Sequence, residues 1–241
     1  MLVSRGLTPS REKASALIMA GLVEVEGKCI DKPGYAVNED VSIIIKKTDL
    51  CPYVSRGGIK LAEAISHFHI DMKNKAVIDV GASTGGFTDC LLQNGVSKVA
   101  ALDVGYGQLA WKIRNDPRVM VIEKTNARYI TPETVGFIAD GAVIDVSFIS
   151  LKLIVPPVSL VLNEKAFIIS LIKPQFEAGK GLVGKGGVVK DENLHLLIVE
   201  DISNFFISQG WEVIGVIPSP ILGPKGNREF LLYATRGENK S

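Results

Sequence analysis

Short apolar runs alternate with amphipathic stretches along most of the chain. Five runs of strand length lie at 76–81, 98–104, 119–123, 141–145 and 166–172. Helical periodicity separates several of these runs, and apolar strands that alternate with helices are typical of a parallel sheet covered on both faces. The pattern therefore predicts an α/β fold.

The C-terminal part of the chain has a different pattern. A helix is predicted over about 193–208, and two further strands are predicted at 211–217 and 229–235. Turns rich in proline and glycine separate these two strands, which favours a hairpin. We therefore expect the sheet to close with an antiparallel pair.

The first 47 residues predict a separate, small α+β module. Thr8 is a good N-cap and Pro9 suits the first position of a helix, while Gly21 is a typical helix stop. A short alternating strand and turn follow at 22–28, and another strand is predicted at 41–45. The predicted organisation is this module at 1–47, a linker at 48–59 and the α/β domain at 60–241.

Composition excludes several classes of protein. Of the 241 residues 46% are hydrophobic and 22% are charged, and the net charge of +1 means that only local patches could attract a nucleic acid. No apolar stretch reaches the roughly 18 to 20 residues that a membrane span needs, and no signal peptide is recognisable. Three scattered cysteines and three histidines without ligand spacing predict a cytoplasmic protein without a metal site.

A glycine-rich motif follows the first predicted strand of the α/β domain. Glycines stand at positions 81, 85 and 86, whereas a dinucleotide-binding fingerprint would need a glycine where Ser83 stands. Glycines after a strand let the backbone approach a ligand, and the next helix offers free N–H groups. Asp103 ends the next strand, where an acidic residue can bind a ribose. The pattern predicts a nucleoside cofactor.

A second glycine-rich stretch, Gly179 to Gly186, nearly matches the phosphate-binding loop of nucleotide hydrolases. Gly186 stands where that loop needs Ser or Thr to hold magnesium, and no helix is predicted directly after it. A basic loop that follows an RNA backbone is the favoured interpretation, with Lys180 and Lys185 as its cations.

The N-terminal module resembles the alpha-L RNA-binding module of a small-subunit ribosomal protein and of pseudouridine synthases. The matching residues include Arg5-Gly6, 10–14, 18–21 and Lys32-Pro33-Gly34. The resemblance implies that phosphates contact the helix and its start, at Arg5, Ser10, Arg11 and Lys13. Such contacts position an RNA without reading its sequence.

Four further motifs, at 53–61, 145–148, 173–177 and 227–230, resemble the TlyA family. These are hemolysin-like ribosomal RNA methyltransferases with an FtsJ-type catalytic domain, a Rossmann-like fold with a mixed seven-stranded sheet. The resemblance implies S-adenosylmethionine as cofactor and methyl transfer to a ribose 2′-hydroxyl of ribosomal RNA or ribosomal subunits, on cytidine. The implied catalytic residues are Lys60, Asp145, Lys173 and Glu229, all expected at strand ends of one sheet. Implied cofactor-binding residues are Asp79, Gly81, Ala82, Ser83, Thr84, Gly85, Gly86, Phe87, Asp103, Val104, Asn126 and Asp145, and Arg56, Lys180 and Lys185 are added as RNA-binding residues.

These four residue types suit removal of a proton from a weakly acidic hydroxyl. Lys173 is the candidate base, although a free lysine is protonated at neutral pH and would need surroundings that favour its neutral form. The alternative is that Lys173 and Lys60 stabilise the developing alkoxide electrostatically. Glu229 is expected to orient Lys60 or the substrate ribose.

Two other functions are alternatives to catalysis. One is a haemolysin-like, membrane-active protein, although the sequence contains neither a spanning segment nor a strongly amphipathic cationic helix. The other is a non-catalytic RNA-binding factor for ribosome assembly that retains a cofactor pocket. The sequence does not predict the oligomeric state or the nucleotide that is modified.

Overall fold

The computed structural model describes residues 1–8, 10–19, 22–30, 33–38, 40–45, 51–179, 181–184 and 186–236. The chain divides into two compact units, Met1–Pro52 and Tyr53–Ser241. A helix begins at Gly57, so the second unit starts inside the range 48–59, which the sequence pattern assigns to a linker.

The first unit contains one helix and a three-stranded sheet. The elements are α1 (Arg11–Met19), β1 (Val23–Val25), β2 (Lys28–Ile30) and β3 (Ile43–Ile45). The sheet order is β2-β1-β3, and both pairs are antiparallel. A small core forms where Leu2, Ala14, Leu17 and Val23 are buried together.

The predicted start of the first helix is wrong. Helix α1 begins at Arg11, where the N–H of Ala14 donates to the carbonyl of Ser10. Thr8 lies three residues before Arg11, and its hydroxyl donates to that same Ser10 carbonyl at 3.5 Å. Pro9 and Gly21, the predicted first helical residue and helix stop, lie outside the described residues.

The second unit is a seven-stranded sheet with helices. Its elements are α2 (Gly57–His67), β4 (Ala76–Val80), α3 (Gly86–Gln93), β5 (Lys98–Leu102), α4 (Trp111–Arg114), β6 (Val119–Ile122), α5 (Pro132–Val135), β7 (Ala139–Ile144), α6 (Val155–Ser159), β8 (Leu162–Ile172), α7 (Pro174–Glu177), α8 (Glu192–Ser208), β9 (Trp211–Pro218) and β10 (Phe230–Arg236). Their order in the sheet is β6-β5-β4-β7-β8-β10-β9.

The strand directions confirm the predicted mixed sheet. The first five strands in that order pair in parallel, whereas β10 runs antiparallel to both β8 and β9. The predicted closing hairpin is therefore confirmed. Among the described residues, no helix combines the length and apolar composition needed to cross a bilayer.

Alternation along the strands divides the core between the two faces of the sheet. Val77 and Val143 pack with Leu61 of α2, whereas Ile78 and Ile144 pack on the other face with Phe206 of α8. Successive strand residues point to opposite faces, so strands covered on both sides must be apolar at nearly every position. This is why these strands appear as continuous apolar runs in the sequence.

Candidate active site

The predicted glycine motif forms the turn between β4 and α3. Gly81 has φ +86°, and a Cβ atom there would lie only 2.5 Å from the carbonyl oxygen of Asp145. Gly85 has φ +92° and precedes the first residue of α3. A Cβ at Gly86 would overlap the hydroxyl of Ser55. Glycine is needed at these places because the backbone is left-handed or because another segment lies too close.

Asp103 holds the same turn from the neighbouring strand. Its carboxylate accepts a hydrogen bond from the N–H of Ser83 at 2.8 Å and another from the N–H of Gly105 at 2.6 Å. Each carboxylate oxygen accepts more than one hydrogen bond, so Asp103 retains acceptor capacity for a ligand. The structure thus brings together two of the residues predicted to bind the cofactor.

Two cavities open along the carboxyl ends of the parallel strands. The first, named here the β5 cavity, has a volume of about 470 Å³. The predicted cofactor residues that line it are Gly81, Ser83, Asp103, Val104, Asn126 and Asp145. Gln108 and Thr125 also line it, and they had no predicted role.

The second cavity, named here the α2 cavity, has a volume of about 430 Å³ and lies beside the start of α2. The predicted residues that line it are Arg56, Lys60, Gly81, Ala82, Ser83, Thr84, Gly86, Phe87 and Asp145. The two cavities share Gly81, Ser83 and Asp145, so they adjoin at the end of β4. The loop 221–225 forms another wall of the α2 cavity, and no sequence pattern indicates this role.

Asp79 and Gly85 line neither cavity. Asp79 is fully buried on β4 and accepts a hydrogen bond from the Thr88 hydroxyl at 2.6 Å. Its other oxygen has no partner within the described part of the chain. Burial raises the pKa of Asp79 to about 7, and the nearby carboxylates of Asp145 and Asp103 add to this, while the bond from Thr88 opposes it.

The first predicted catalytic pair consists of Lys60 and Glu229. Lys60 Nζ lies 2.5 Å from Glu229 Oε2, and the two side chains are 10% and 0% exposed. A Cβ atom at Gly223 would overlap Glu229 Oε1, so the chain needs glycine there to make room for this carboxylate. Burial of a paired charge favours a fixed geometry, because leaving either charge alone would be costly.

The second predicted catalytic pair consists of Asp145 and Lys173. Lys173 Nζ lies 2.5 Å from Asp145 Oδ1, and the side chains are 9% and 19% exposed for lysine and aspartate. Lys173 Nζ also donates to the Ser147 hydroxyl at 2.9 Å. Ser147 was missed as a functional residue, although its position two residues after Asp145 could have indicated it.

Sheet topology brings the two pairs to one edge. Asp145 and Lys173 directly follow β7 and β8, which are parallel neighbours. Glu229 directly precedes β10, and the antiparallel pairing of Phe230 with Ile172 places the start of β10 at the end of β8. Three of the four residues therefore lie at strand ends, as predicted.

The expected strand-end position of Lys60 is wrong. Lys60 lies within α2, and this helix packs against α3 and β10. The physical reason is that α2 covers one face of the sheet and brings Lys60 within reach of Glu229, which directly precedes β10. Lys60 and Asp145 both line the α2 cavity, whereas Lys173 and Glu229 line neither cavity.

The residues predicted to bind RNA are described only in part. In the first unit Arg5 donates to the carbonyl of Val41 at 2.7 Å, and Arg11 is exposed at the first position of α1. Ser10 precedes that helix and is partly buried. The side chain of Lys13, and all of Lys180 and Lys185, lie outside the described residues. Arg56 stands at the N-cap of α2.

Comparison with protein families identifies both units. A model of the FtsJ-like methyltransferase family matches residues 53–236. A model of the S4 domain, which is the alpha-L module, matches residues 1–43. The matched ranges fall on the two compact units of the structure.

Characterised relatives match nearly the whole chain. The 16S/23S rRNA (cytidine-2′-O)-methyltransferase TlyA of Mycobacterium tuberculosis is 46% identical over 232 residues, which cover 96% of this chain and 87% of that protein. Hemolysin A of Brachyspira hyodysenteriae is 43% identical over 231 residues and covers 95% of each chain.

Solved structures agree with these matches. The solved structure of a protein described as "Putative hemolysin from Streptococcus thermophilus" superposes with a TM-score of 0.80 at 42% identity, over 96% of this chain and 85% of that one. An S-adenosylmethionine dependent methyltransferase from Mesorhizobium loti superposes with a TM-score of 0.53 at 14% identity, over 73% and 98%, and this likeness shows the fold alone. The resemblance predicted from the motifs is confirmed, and the chain belongs to the TlyA family, with an S4 domain followed by an FtsJ-like methyltransferase domain.

Proposed function

We propose that this chain transfers the methyl group of S-adenosylmethionine to a ribose 2′-hydroxyl of ribosomal RNA, with cytidine as the nucleotide. The observation that carries the proposal is the meeting of the pairs Lys60–Glu229 and Asp145–Lys173 at the edge of a methyltransferase sheet. The M. tuberculosis relative, 46% identical, is named for this reaction.

The β5 cavity and the adjoining glycine turn fit the proposed cofactor. Asp103 has lone pairs left for ribose hydroxyls, and the turn 81–87 would surround the amino-acid part. The carboxylates of Asp103 and Asp145 line the β5 cavity, and negative charge there favours a positively charged ligand. When bound, S-adenosylmethionine supplies a methyl group that its sulfonium has already activated.

Lys173, in its neutral form, is the residue proposed to take the proton of the 2′-hydroxyl as that oxygen bonds to the methyl carbon. The bond between this carbon and the sulfonium sulfur would break at the same time, and S-adenosylhomocysteine would leave as the neutral thioether. Asp145 and Ser147 fix its Nζ from two sides, at 2.5 and 2.9 Å. In the alternative role, Lys173 and Lys60 stabilise the developing negative charge on the oxygen without removing the proton. In both roles Glu229 holds Lys60 toward the α2 cavity, where the ribose would lie.

The S4 domain is proposed to hold the RNA. Arg5, Ser10, Arg11 and Lys13 would contact phosphates from the first unit, and Arg56, Lys180 and Lys185 from the second. Phosphate contacts set the position of an RNA and weaken with salt, because counterions compete for the phosphates.

Transfer of radiolabelled methyl groups tests the proposal. The purified chain is incubated with tritiated S-adenosylmethionine and with small subunits, large subunits or free ribosomal RNA, and label in RNA is counted. Label in at least one of these substrates is expected, and it should depend on Lys173. Absence of label from all three would contradict the proposal.

The alternative functions predict other results with the same protein. A non-catalytic assembly factor would bind subunits and leave them unlabelled. A membrane-active protein would release dye from liposomes at low protein concentration, and this release would not depend on Lys173.

A further inference from the structure

We propose that Glu177 is a positioning residue that holds the loop after β7 against Lys173, so that Asp145 and Ser147 keep their places at the proposed base. This inference rests on the proposed function, because it concerns the same ion pair. Neither the cofactor motif nor the four catalytic residues include Glu177.

Glu177 connects the two segments that follow the catalytic strands. It ends α7, the short helix that begins directly after Lys173. Its Oε2 accepts a hydrogen bond from the Ser150 hydroxyl at 2.5 Å, and its Oε1 accepts one from the N–H of Leu151 at 2.9 Å. Ser150 and Leu151 begin the 3-10 helix that follows the loop after Asp145.

The same two segments also meet near the site. Lys173 contacts Asp145 and Ser147, and the rings of Phe148 and Phe176 lie 4.9 Å apart. Segments 145–151 and 173–177 are thus joined at the ion pair, at the aromatic pair and at Glu177. The loop cannot shift along α7 without breaking the bonds to Glu177.

The loop needs such support because its backbone is strained. Phe148 has φ +64° and is 91% exposed, so its own burial does not stabilise this conformation. A left-handed backbone at a bulky residue is unfavourable and persists only where the surroundings hold it. Ser147, which contacts Lys173, is the residue directly before it.

A neutral side chain with an acceptor oxygen at the same place should also hold the loop after β7. Burial raises the pKa of Glu177, while the bonds from Ser150 and Leu151 lower it, and the charges of Lys152 and Asp201 act from outside in opposite directions. The hydrogen-bond geometry, rather than the negative charge, is therefore the proposed contribution. Glutamine can accept from the Leu151 N–H and donate to the Ser150 oxygen.

The test compares Glu177→Ala with Glu177→Gln in the full-length protein. Glu177→Ala is expected to lower kcat about 10- to 100-fold, because small displacements of catalytic groups have effects of this size. The KM for RNA and the Kd for S-adenosylmethionine should change less than about threefold, and the pH profile of kcat should move as the surroundings of Lys173 change. Glu177→Gln should restore most of kcat.

Two further variants keep the test decisive. Glu164→Ala, at an exposed position near the opposite end of β8, should leave kcat and its pH profile unchanged. Ser150→Ala removes one of the two bonds and should lower kcat in the same direction by a smaller factor, which replaces the alanine result if Glu177→Ala fails to fold.

The outcomes separate this inference from the proposed function. An active wild type whose Glu177→Ala variant keeps kcat and pH profile, with only a lower Tm, overturns the inference alone. The same holds if Glu177→Gln is as impaired as Glu177→Ala. A wild type that transfers no methyl group overturns the proposed function and this inference with it.

Discussion

The two ion pairs of the site have the same length and different surroundings. Both join nitrogen and oxygen at 2.5 Å, but Glu229 is 0% exposed, whereas Asp145 is 19% exposed and borders both cavities. The pair Lys60–Glu229 joins a helix to the antiparallel strand β10, and Asp145–Lys173 joins neighbouring parallel strand ends. We therefore propose that Glu229 mainly holds Lys60 in place, while Asp145 and Lys173 take part in the chemistry.

The largest expected effect is the loss of methyl transfer when Lys173 is replaced. Lys173→Ala should lower methyl transfer by about 10²- to 10⁴-fold, the range for loss of a general acid or base. Affinity for S-adenosylmethionine, measured by calorimetry, should stay within a few-fold, because Lys173 lines neither cavity. Lys165→Ala, on the exposed start of β8, is the matched control. An active Lys173→Ala enzyme would remove the assignment of the base.

The two pairs should also differ in how much they stabilise the fold. Breaking Lys60–Glu229 should cost more folding free energy than breaking Asp145–Lys173. Glu229→Gln leaves the buried Lys60 ammonium without its anion and should destabilise the protein by about 3 kcal/mol or more. Asp145→Asn should cost less, because water reaches this side chain. Urea unfolding of both variants measures the difference, and equal losses would show that the two pairs contribute equally to stability.

Replacing both residues of the buried pair separates its effect on stability from its effect on methyl transfer. The double variant Lys60→Met, Glu229→Met removes both charges and should recover most of the stability that Glu229→Gln loses, since apolar side chains can replace a buried pair at little cost. Methyl transfer should not return, because Lys60 faces the α2 cavity. Recovery of activity together with stability would show that Lys60 has only a structural role.

Asp79 lies near the carboxylate of Asp145, which belongs to the more exposed of the two ion pairs. Its pKa is about 7 in the folded protein, well above that of a free aspartate, so the folded state holds a proton that the unfolded state releases. Its stabilising contribution is therefore complete below about pH 4 and is lost as the pH rises through about 7. Between pH 5 and pH 8 the Tm of the wild type should fall more than that of Asp79→Asn. Parallel Tm curves would contradict this ionisation.

Substitutions in the S4 domain should have the smallest effect on the site. Replacing Arg11 and Lys13 together by alanine should weaken RNA binding and lower the slope of log affinity against log salt by about 1 to 2. Binding of S-adenosylmethionine and the stability of both ion pairs should not change. Filter binding over a salt series measures the slope, and an unchanged slope would show that these residues do not contact phosphate.

The sequence predicted the sheet, and the strand-end positions of three of the four proposed catalytic residues, for a physical reason. Apolar runs mark strands that are covered on both faces, and the carboxyl ends of parallel strands meet at one edge. Asp145 and Lys173 directly follow such strands, and Glu229 directly precedes the last strand in the chain. The glycine spacing similarly located the turn between β4 and α3.

Contacts between segments that are distant in the chain could not be predicted from the sequence. No local pattern indicates that Lys60 reaches Glu229 from a helix, or that Glu177 receives hydrogen bonds from Ser150 and Leu151. The predicted cap at Thr8 failed for a related reason, since a cap signal is local and does not fix the residue at which α1 begins. Such contacts depend on packing that only the folded chain determines.

Mass spectrometry of the product nucleosides shows directly whether the chain methylates a ribose oxygen and whether Lys173 is required. Ribosomal subunits treated with the wild type and S-adenosylmethionine are digested to nucleosides, with Lys173→Ala as the parallel sample. We expect 2′-O-methylcytidine in the wild-type sample and almost none with Lys173→Ala. Methylation on a base, or equal 2′-O-methylation by both proteins, would contradict it.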